Sequence, residues 1–347
     1  VIWTKTLLDW YKENKRDFPW RKSQDPYHIW LSEIILQQTR VQQGLPYYEK
    51  FIKNFPTVFD LAAASEEKVL KLWQGLGYYS RARNLYASAQ WVVKERQGNF
   101  PQTFKELLLL KGVGDYTASA IASICFEEPQ AVVDGNVYRF LARFFGIEMP
   151  IDASGAHKYF KEKATVLMQG VSPNTFNQAM MEFGAIQCTP KLTACEQCPF
   201  AQKCVAYQQG KVNAFPVKTK KVKVKKRYFN YLVIKTPSEQ TVVKERKAKG
   251  IWQNLYEFPL IEAASMIEKE ELIKQPDFIQ WNKFKLISCE RVNPKAIKHI
   301  LTHQHLYIQF WQLELGKEIV ESIDYKELKL LPVPVVIQHF IENNYVD

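Results

Sequence analysis

The chain has no apolar run long enough to cross a membrane, which excludes an integral helical membrane protein. Its start, Val1-Ile2-Trp3-Thr4-Lys5, lacks the charged segment and apolar core of a secretory signal, so none is expected there. Acidic residues are scarce: 36 Asp and Glu stand against 47 Lys and Arg, a formal net charge of +11. That imbalance points to a polyanionic partner, nucleic acid first and an acidic membrane surface second. Cysteine is scarce too, six in 347 residues, and Cys125 and Cys289 stand alone in apolar or mixed segments. This speaks against a secreted disulfide scaffold and for a reducing compartment, a bacterial cytoplasm or a nucleus. There is no internal repeat, and the only biased tract is a short basic one.

The other four cysteines fall close together. Cys188, Cys195, Cys198 and Cys204 read C-x6-C-x2-C-x5-C. Four thiolates on one centre suit a four-cysteine iron–sulfur cluster or a tetrahedral zinc, and two disulfides are the alternative. The spacing is neither the tight ferredoxin run nor two C-x2-C pairs.

At 347 residues, with 46% hydrophobic content, the chain is long enough for two domains with buried cores. Residues 1–210 show helical periodicity. Trp3, Leu7, Leu8 and Tyr11 form one stripe; Leu31, Ile34, Ile35 and Gln38 form another after a start signal at Asp25-Pro26; Val137, Phe140, Leu141 and Phe144 form a third. Residues 211–227, KVNAFPVKTKKVKVKKR, hold eight basic residues and no acidic one. They predict a linker whose charges do not pack together, suited to lie along a phosphate backbone. From residue 228 the period shifts towards two: Tyr228–Ile234 and Leu306–Trp311 predict strands, and segments near 262–275 and 333–344 predict helices, an α+β domain.

Leu110-Lys111-Gly112-Val113-Gly114 separates two helical stretches. Two glycines two apart allow a tight turn whose N–H groups face outward at a helix N-terminus, a geometry that holds phosphate without reading bases. Asp134 follows twenty residues after Gly114, ahead of an amphipathic stretch. It is a natural N-cap, and a cap sits at an exposed helix end where chemistry is also possible. Glu33 lies among Ile29, Trp30, Leu31, Ile34, Ile35 and Leu36. A carboxyl buried there would have a raised pKa and remain protonated near neutrality, as a general acid requires.

The hairpin, Asp134 and the four-cysteine loop, in this order and spacing, resemble the helix-hairpin-helix DNA glycosylase superfamily in its iron–sulfur branch, over most of residues 20–205. Lys111 departs from the Pro usual there. Endonuclease III-like members carry a Lys two residues after the last hairpin glycine; here that position is Tyr116, which cannot form a Schiff base. Asp134-Gly135-Asn136-Val137, Asp17-Phe18-Pro19-Trp20-Arg21 and Glu33-Ile34-Ile35-Leu36-Gln37-Gln38-Thr39 are similar to the adenine glycosylases of that branch.

The resemblance implies a mostly helical helix-hairpin-helix glycosylase domain with a [4Fe-4S] loop on Cys188, Cys195, Cys198 and Cys204, residues 1–210. A basic linker, 211–227, joins it to an α+β Nudix-like domain, 228–347, that recognises 8-oxoguanine. It implies a monofunctional enzyme that flips adenine out of A:8-oxoguanine or A:G pairs in double-stranded DNA and cuts its N-glycosidic bond. Glu33 would be the general acid and Asp134 would stabilise or bond to the oxocarbenium-like sugar, a division of labour known from glycoside hydrolysis. Tyr116 and Asn136 would position Asp134. Trp20, Arg21 and Gln178 would line the adenine pocket, Gln38 and Tyr78 would fill or wedge the duplex, and Lys111, Gly112 and Gly114 would hold phosphate. In the second domain Gly250-Ile251-Trp252 and Tyr256-Glu257-Phe258-Pro259 look like a Nudix start, but the metal-binding box does not follow, so a reader without hydrolase activity is expected. Leu301-Thr302-His303 matches the family's Phe-Ser-His loop, which contacts 8-oxoguanine. His299, His303 and His305 cluster in sequence without a fourth zinc ligand nearby. A monomer in a bacterial, nucleoid-associated cytoplasm is expected.

Overall fold

The computed structural model describes residues 2–191, 193–219 and 224–345. Helices fill the chain's first part: α1 (Ile2–Asn14), α2 (Pro26–Leu36), α3 (Val41–Asn54), α4 (Val58–Ala63), α5 (Glu66–Trp73), α6 (Ser80–Arg96), α7 (Phe104–Leu107), α8 (Asp115–Phe126), α9 (Gly135–Phe145), α10 (Ala156–Met168), α11 (Pro173–Glu182) and α12 (Val205–Gln208). Strands β1 (Lys225–Lys235), β2 (Lys244–Glu245), β3 (Tyr256–Glu257), β4 (Leu260–Ala263), β5 (Leu286–Arg291), β6 (Ile297–Ile300) and β7 (Gln304–Leu315) follow, with α13 (Lys269–Leu272), α14 (Pro276–Ile279), α15 (Tyr325–Leu330) and α16 (Val335–Asn344). No helix among the described residues is long and apolar enough to cross a membrane.

Two compact units result. The first gathers Val1–Ala63 and Asn84–Lys220. The apolar stripe of α9 drives its core: Val137, Phe140, Leu141 and Phe144 are all buried, against Leu7, Phe160, Phe176, Phe183 and Phe200. Phe140 lies 4.3 Å from Phe183 and 5.3 Å from Phe200, centroid to centroid, an aromatic knot between α9 and the segment that carries the cysteines. Each such ring buries a large apolar surface and fixes its neighbours by shape.

The second unit gathers Ala64–Arg83 and Lys221–Asp347. Its sheet runs β4-β1-β7-β5 with β6 also on β7, and β1 and β7 are parallel while the other pairs are antiparallel. The central β1 is buried from Phe229 to Ile234 because both faces are covered. Leu232, Ile234, Trp311 and Leu313 pack with Leu272, Phe278 and Trp281 on one side. Phe310 stacks on Phe340 of α16 at 3.9 Å.

Three expectations need correcting. Residues 64–83 cluster with the sheet unit, although the helical period of the first 210 residues covers them. Lys71 donates to the carbonyls of Lys329 and Leu331 at 2.6 and 3.0 Å, and Gln74 to Gln338 at 2.7 Å. Periodicity marks an amphipathic helix but not which surface covers it. The start of the segment expected to be helical near 262–275 is instead the end of β4 (Leu260–Ala263), because Ile261 turns into the core beside Asn230 of β1. The linker is also anchored over part of its length: Phe215 is buried, Ile151 donates to the Val217 carbonyl at 3.0 Å, and the Thr219 amide donates to Asp152. Lys225 to Arg227 already belong to β1. The basic core of the linker, residues 220–223, lies outside the described residues.

Candidate active site

The phosphate-binding candidate is a turn between α7 and α8. Gly112 has φ +78°, a conformation side chains avoid, and a Cβ there would meet Asn84 at 2.9 Å. Gly114 caps α8, so the first N–H groups of that helix follow the turn directly. Lys111 is exposed, and Gln37 ties the turn to α2 by donating to the Gly112 carbonyl and to Thr117.

Helix α2 begins as its sequence dictates: Asp25 accepts from the Tyr27 amide at 2.8 Å and Pro26 occupies the first turn. Its buried face carries Trp30, Ile34 and Ile35, and Glu33 shares a cavity with Ile29 and Leu36. The helix stops at Leu36. Gln38, expected on its stripe, instead sits beyond it at φ +55°. Asp134 caps α9: one carboxylate oxygen accepts from the Asn136 and Val137 amides at 2.9 and 2.8 Å, and the other from the Asn136 side chain at 2.7 Å. Arg139, one turn on, donates to Asn136 Oδ1 at 2.9 Å, to the Gly184 carbonyl and, at 2.7 Å, to the Cys188 carbonyl. Gly184 has to be glycine, since a Cβ would fall 2.7 Å from the Asn136 carbonyl oxygen.

Glu33, Tyr116, Asp134 and Asn136 line one cavity of about 630 Å³, together with Trp20, Arg21 and Gln178. A second cavity of about 560 Å³ shares Glu33, Tyr116 and Asp134 and adds Gln38, Gly114 and Thr117. The two carboxyl groups thus line both cavities, one with Trp20, Arg21 and Gln178 and the other beside the Gly112–Gly114 turn. Burial pushes Glu33 up to about 7; a hydrogen bond with Tyr116 and the charge of Arg21 pull it down, and Asp134 pushes it further up. Burial also raises Asp134, against the three hydrogen bonds and the Arg139 charge that favour its anion. Glu33 is therefore suited to hold a proton and Asp134, with more donors committed to it, to carry the charge.

The pocket wall contains residues that sequence reasoning missed. Glu182 closes α11 and accepts from both Arg16 and Arg21. Phe18 stacks on Trp20 at 5.0 Å, and Arg16 and Arg21 lie over Phe18. Gln178 accepts from the Tyr11 hydroxyl and donates to Asn174. Glu182 lies four residues after Gln178, one helical turn along the same face, and that spacing was the available signal.

With this geometry in place, the relatives can be compared. A model of HhH-GPD superfamily base excision DNA repair proteins matches residues 31–164, and a NUDIX domain model matches residues 230–343. An adenine DNA glycosylase of Buchnera aphidicola subsp. Acyrthosiphon pisum (strain APS) is 34% identical over 355 aligned positions, covering 99% of this chain and 97% of that one. Another, from Buchnera aphidicola subsp. Schizaphis graminum (strain Sg), is 34% identical and covers 88% and 86%. The chain belongs to the adenine DNA glycosylase family. It is accordingly a base excision repair enzyme and a hydrolase of N-glycosyl bonds, built from a helix-hairpin-helix domain and a Nudix-like domain. Among solved structures a thermostable thymine-DNA glycosylase is 32% identical, with a TM-score of 0.56 over 60% of this chain and 96% of that one.

The cluster implied by the adenine glycosylase resemblance has a fitting donor set. All six cysteines are free, and Cys188, Cys195, Cys198 and Cys204 line one cavity whose walls include Phe140, Phe183 and Phe200. Burial pushes the Cys188 thiol up and the Cys198 thiol to about 12, and neighbouring thiols add to both. Arg143 donates to Cys188 Sγ at 3.4 Å. Among the described residues no group of three or more His, Cys, Asp or Glu is set to hold a metal ion, so the fit rests on donor chemistry and the shared cavity.

The remaining candidates of the adenine glycosylase belong to the second unit. Tyr78 is exposed at φ +48° in a turn between Gly75, Gly77 and Arg81, and its hydroxyl meets that of Thr302. Thr302 and His303, both exposed, and the half-buried Leu301 make the β6–β7 turn. His299 lies on β6 beside Trp252 and His305 on β7. The three histidines that sequence clusters are thus divided between two strands and a turn.

Proposed function

We propose that the chain is a monofunctional adenine glycosylase acting on adenine opposite 8-oxoguanine or G in duplex DNA, as a monomer in a bacterial cytoplasm. The observation that carries this reading is the placement of Glu33 and Asp134 on one cavity with Trp20, Arg21 and Gln178. The adenine leaves the stack and enters that cavity. Glu33, protonated near neutrality because burial opposes its charge, donates its proton to N7 and makes the base a better leaving group. The sugar becomes oxocarbenium-like, and the Asp134 carboxylate, aimed by Asn136 and the α9 amides, stabilises it or bonds to it. Glu33, now ionised, helps activate water, with Tyr116 beside it. Tyr116 offers no amine, so the backbone is left uncut.

Lys111, Gly112 and Gly114 hold phosphate, while Gln38 and Tyr78 fill or wedge the duplex. Leu301, Thr302 and His303 contact the opposite base, so residues 228–347 read it while catalysis stays in residues 1–210. Cys188, Cys195, Cys198 and Cys204 would hold one [4Fe-4S] cluster, which would supply a compact cross-link to this loop. The exposed Lys191 and Lys203 beside it contact phosphate.

The test is single-turnover excision from an A:8-oxoguanine duplex, developed with and without alkali. Wild type is expected to give alkali-dependent cleavage. Glu33→Gln and Asp134→Asn are each expected to lose at least ~100-fold in rate while still binding the duplex. Near-normal excision by either variant would sink the mechanism.

A further inference from the structure

One buried carboxylate on the pocket wall has no part in the chemistry above. Glu182 ends α11, where a π-helical turn, Phe183–Gln187, begins, and its side chain is only 1% exposed. Four donors converge on it. The Arg16 backbone N–H and Nε reach Oε1 at 3.0 and 2.7 Å; Arg16 Nη2 and Arg21 Nη2 reach Oε2 at 2.9 and 2.8 Å. Arg21 Nη1 also donates to the Arg16 carbonyl at 2.8 Å, which closes the three groups into a ring of hydrogen bonds. Both guanidinium groups lie over Phe18, at 5.0 and 4.9 Å from its centroid, and Phe18 carries Trp20. Removing Glu182 would therefore loosen two arginines and the aromatic stack they cover.

Its charge matters as much as its shape. Two guanidinium groups on the wall would oppose a base that turns cationic when Glu33 protonates it. One fixed carboxylate cuts that opposition in half. Burial by itself would raise Glu182, but the bonds from Arg16 and Arg21 outweigh it and hold the carboxyl at about 2, so the anion is permanent in any working buffer.

We propose that Glu182 is the positioning residue of the base pocket: it clamps Arg16 and Arg21 against Phe18 and supplies the negative charge that lets a protonated purine form beside them. The inference rests on the roles given to Glu33 and Asp134 above. It makes a distinct prediction for pH dependence. The groups acting on Glu33 are Tyr116 from α8, Asp134 from the α9 cap and Arg21, and Cys125 of α8 is near enough to feel its charge. Arg21 already favours the Glu33 anion. Taking away the Glu182 charge leaves Arg21 less compensated, favours that anion further and moves the alkaline limb of the rate profile to lower pH.

The experiment compares wild type, Glu182→Gln, Glu182→Asp and Glu33→Gln by single-turnover excision from pH 5 to 9, with duplex affinity and iron content measured alongside. Glu182→Gln is expected to bind duplex and hold iron as wild type does, to lose up to ~100-fold in rate, and to shift its alkaline limb by ~0.5–1 pH unit towards acid. Glu182→Asp, which keeps the charge on a shorter stem, is expected to lose rate with its limb unmoved. A wild-type rate and limb for folded Glu182→Gln, with Glu33→Gln inactive, overturns the clamp and leaves the mechanism standing. Active Glu33→Gln overturns the mechanism and the clamp together. Where the Gln variant does not fold, the Asp variant decides: an undiminished rate refutes the clamp.

Discussion

Glu33 should make the protein less stable in the very range where it works. Its carboxyl has an ordinary value of 4.5 when unfolded and about 7 when folded, chiefly because burial opposes the charge. The folded state therefore holds the proton more tightly. Below pH 4.5 the group is protonated in both states and contributes nothing; between 4.5 and about 7 stability falls as pH rises; above 7 the folded state carries a buried charge and the loss is complete. A displacement of that size corresponds to about 3 kcal/mol. Gln imitates the protonated form and does not titrate. Glu33→Gln should thus match wild type in urea or thermal unfolding near pH 4.5 and exceed it by up to ~3 kcal/mol at pH 8, while losing excision. Equal pH dependence in the two proteins would mean that Glu33 titrates normally, and the general-acid argument would fall with it.

Three further outcomes are expected. Tyr116→Lys should gain some strand cleavage, because an amine would then stand beside Asp134; borohydride trapping of DNA by wild type but not by this variant would reverse the assignment. Protein purified without oxygen should be brown, with four irons per chain, and a colourless protein with stoichiometric zinc would remove the cluster. Thr302→Ala with His303→Ala should narrow the preference for A:8-oxoguanine over A:G by about 1–3 kcal/mol per lost contact and leave A:G excision less affected; full preference in that variant would move the reader elsewhere.

The parts of the site legible in sequence were those with a local cause. Asp25-Pro26 announces α2, and Asp134 before an amphipathic stretch announces the α9 cap; both signals are spent within a few residues, and both helices begin there. Glu33 was legible because the apolar residues crowding it are its helix neighbours. Glu182 was legible only as a neighbour of Gln178 one turn along α11; its ion pairs were not, since Arg21 and Arg16 lie 161 and 166 residues away and no local pattern joins them to it. The same reason hid the grouping of residues 64–83 with the sheet unit, which depends on Lys71 reaching carbonyls more than two hundred residues on. Gln38 shows the opposite failure: an apolar period ran on past the true helix end, which only a backbone at φ +55° reveals.

The two carboxyl groups relate to the fold in opposite ways, and this decides which substitutions are informative. At Glu33 the proposed role works against stability, because the enclosure that keeps the proton also penalises the charge. At Asp134 they run together. The donors that aim its oxygens are the amides left unpaired at the start of α9, so capping the helix and preparing the anion are one act. The helix dipole favours a negative charge at that end as well. Asn caps nearly as well as Asp, so Asp134→Asn keeps the bonds to the α9 amides while removing the charge and the acceptor that meets the Asn136 side chain, whereas Asp134→Ala would also uncap α9 at a cost of about 1 kcal/mol. Behind the cap, Arg139 joins Asn136 to the Gly184 and Cys188 carbonyls, and Gly184 leaves no room for a side chain against Asn136. The first cysteine of the C-x6-C-x2-C-x5-C run is thereby two side chains from the carboxylate. A shift of Cys188 would therefore be felt by Asn136 through Arg139, and through Asn136 by the carboxylate of Asp134.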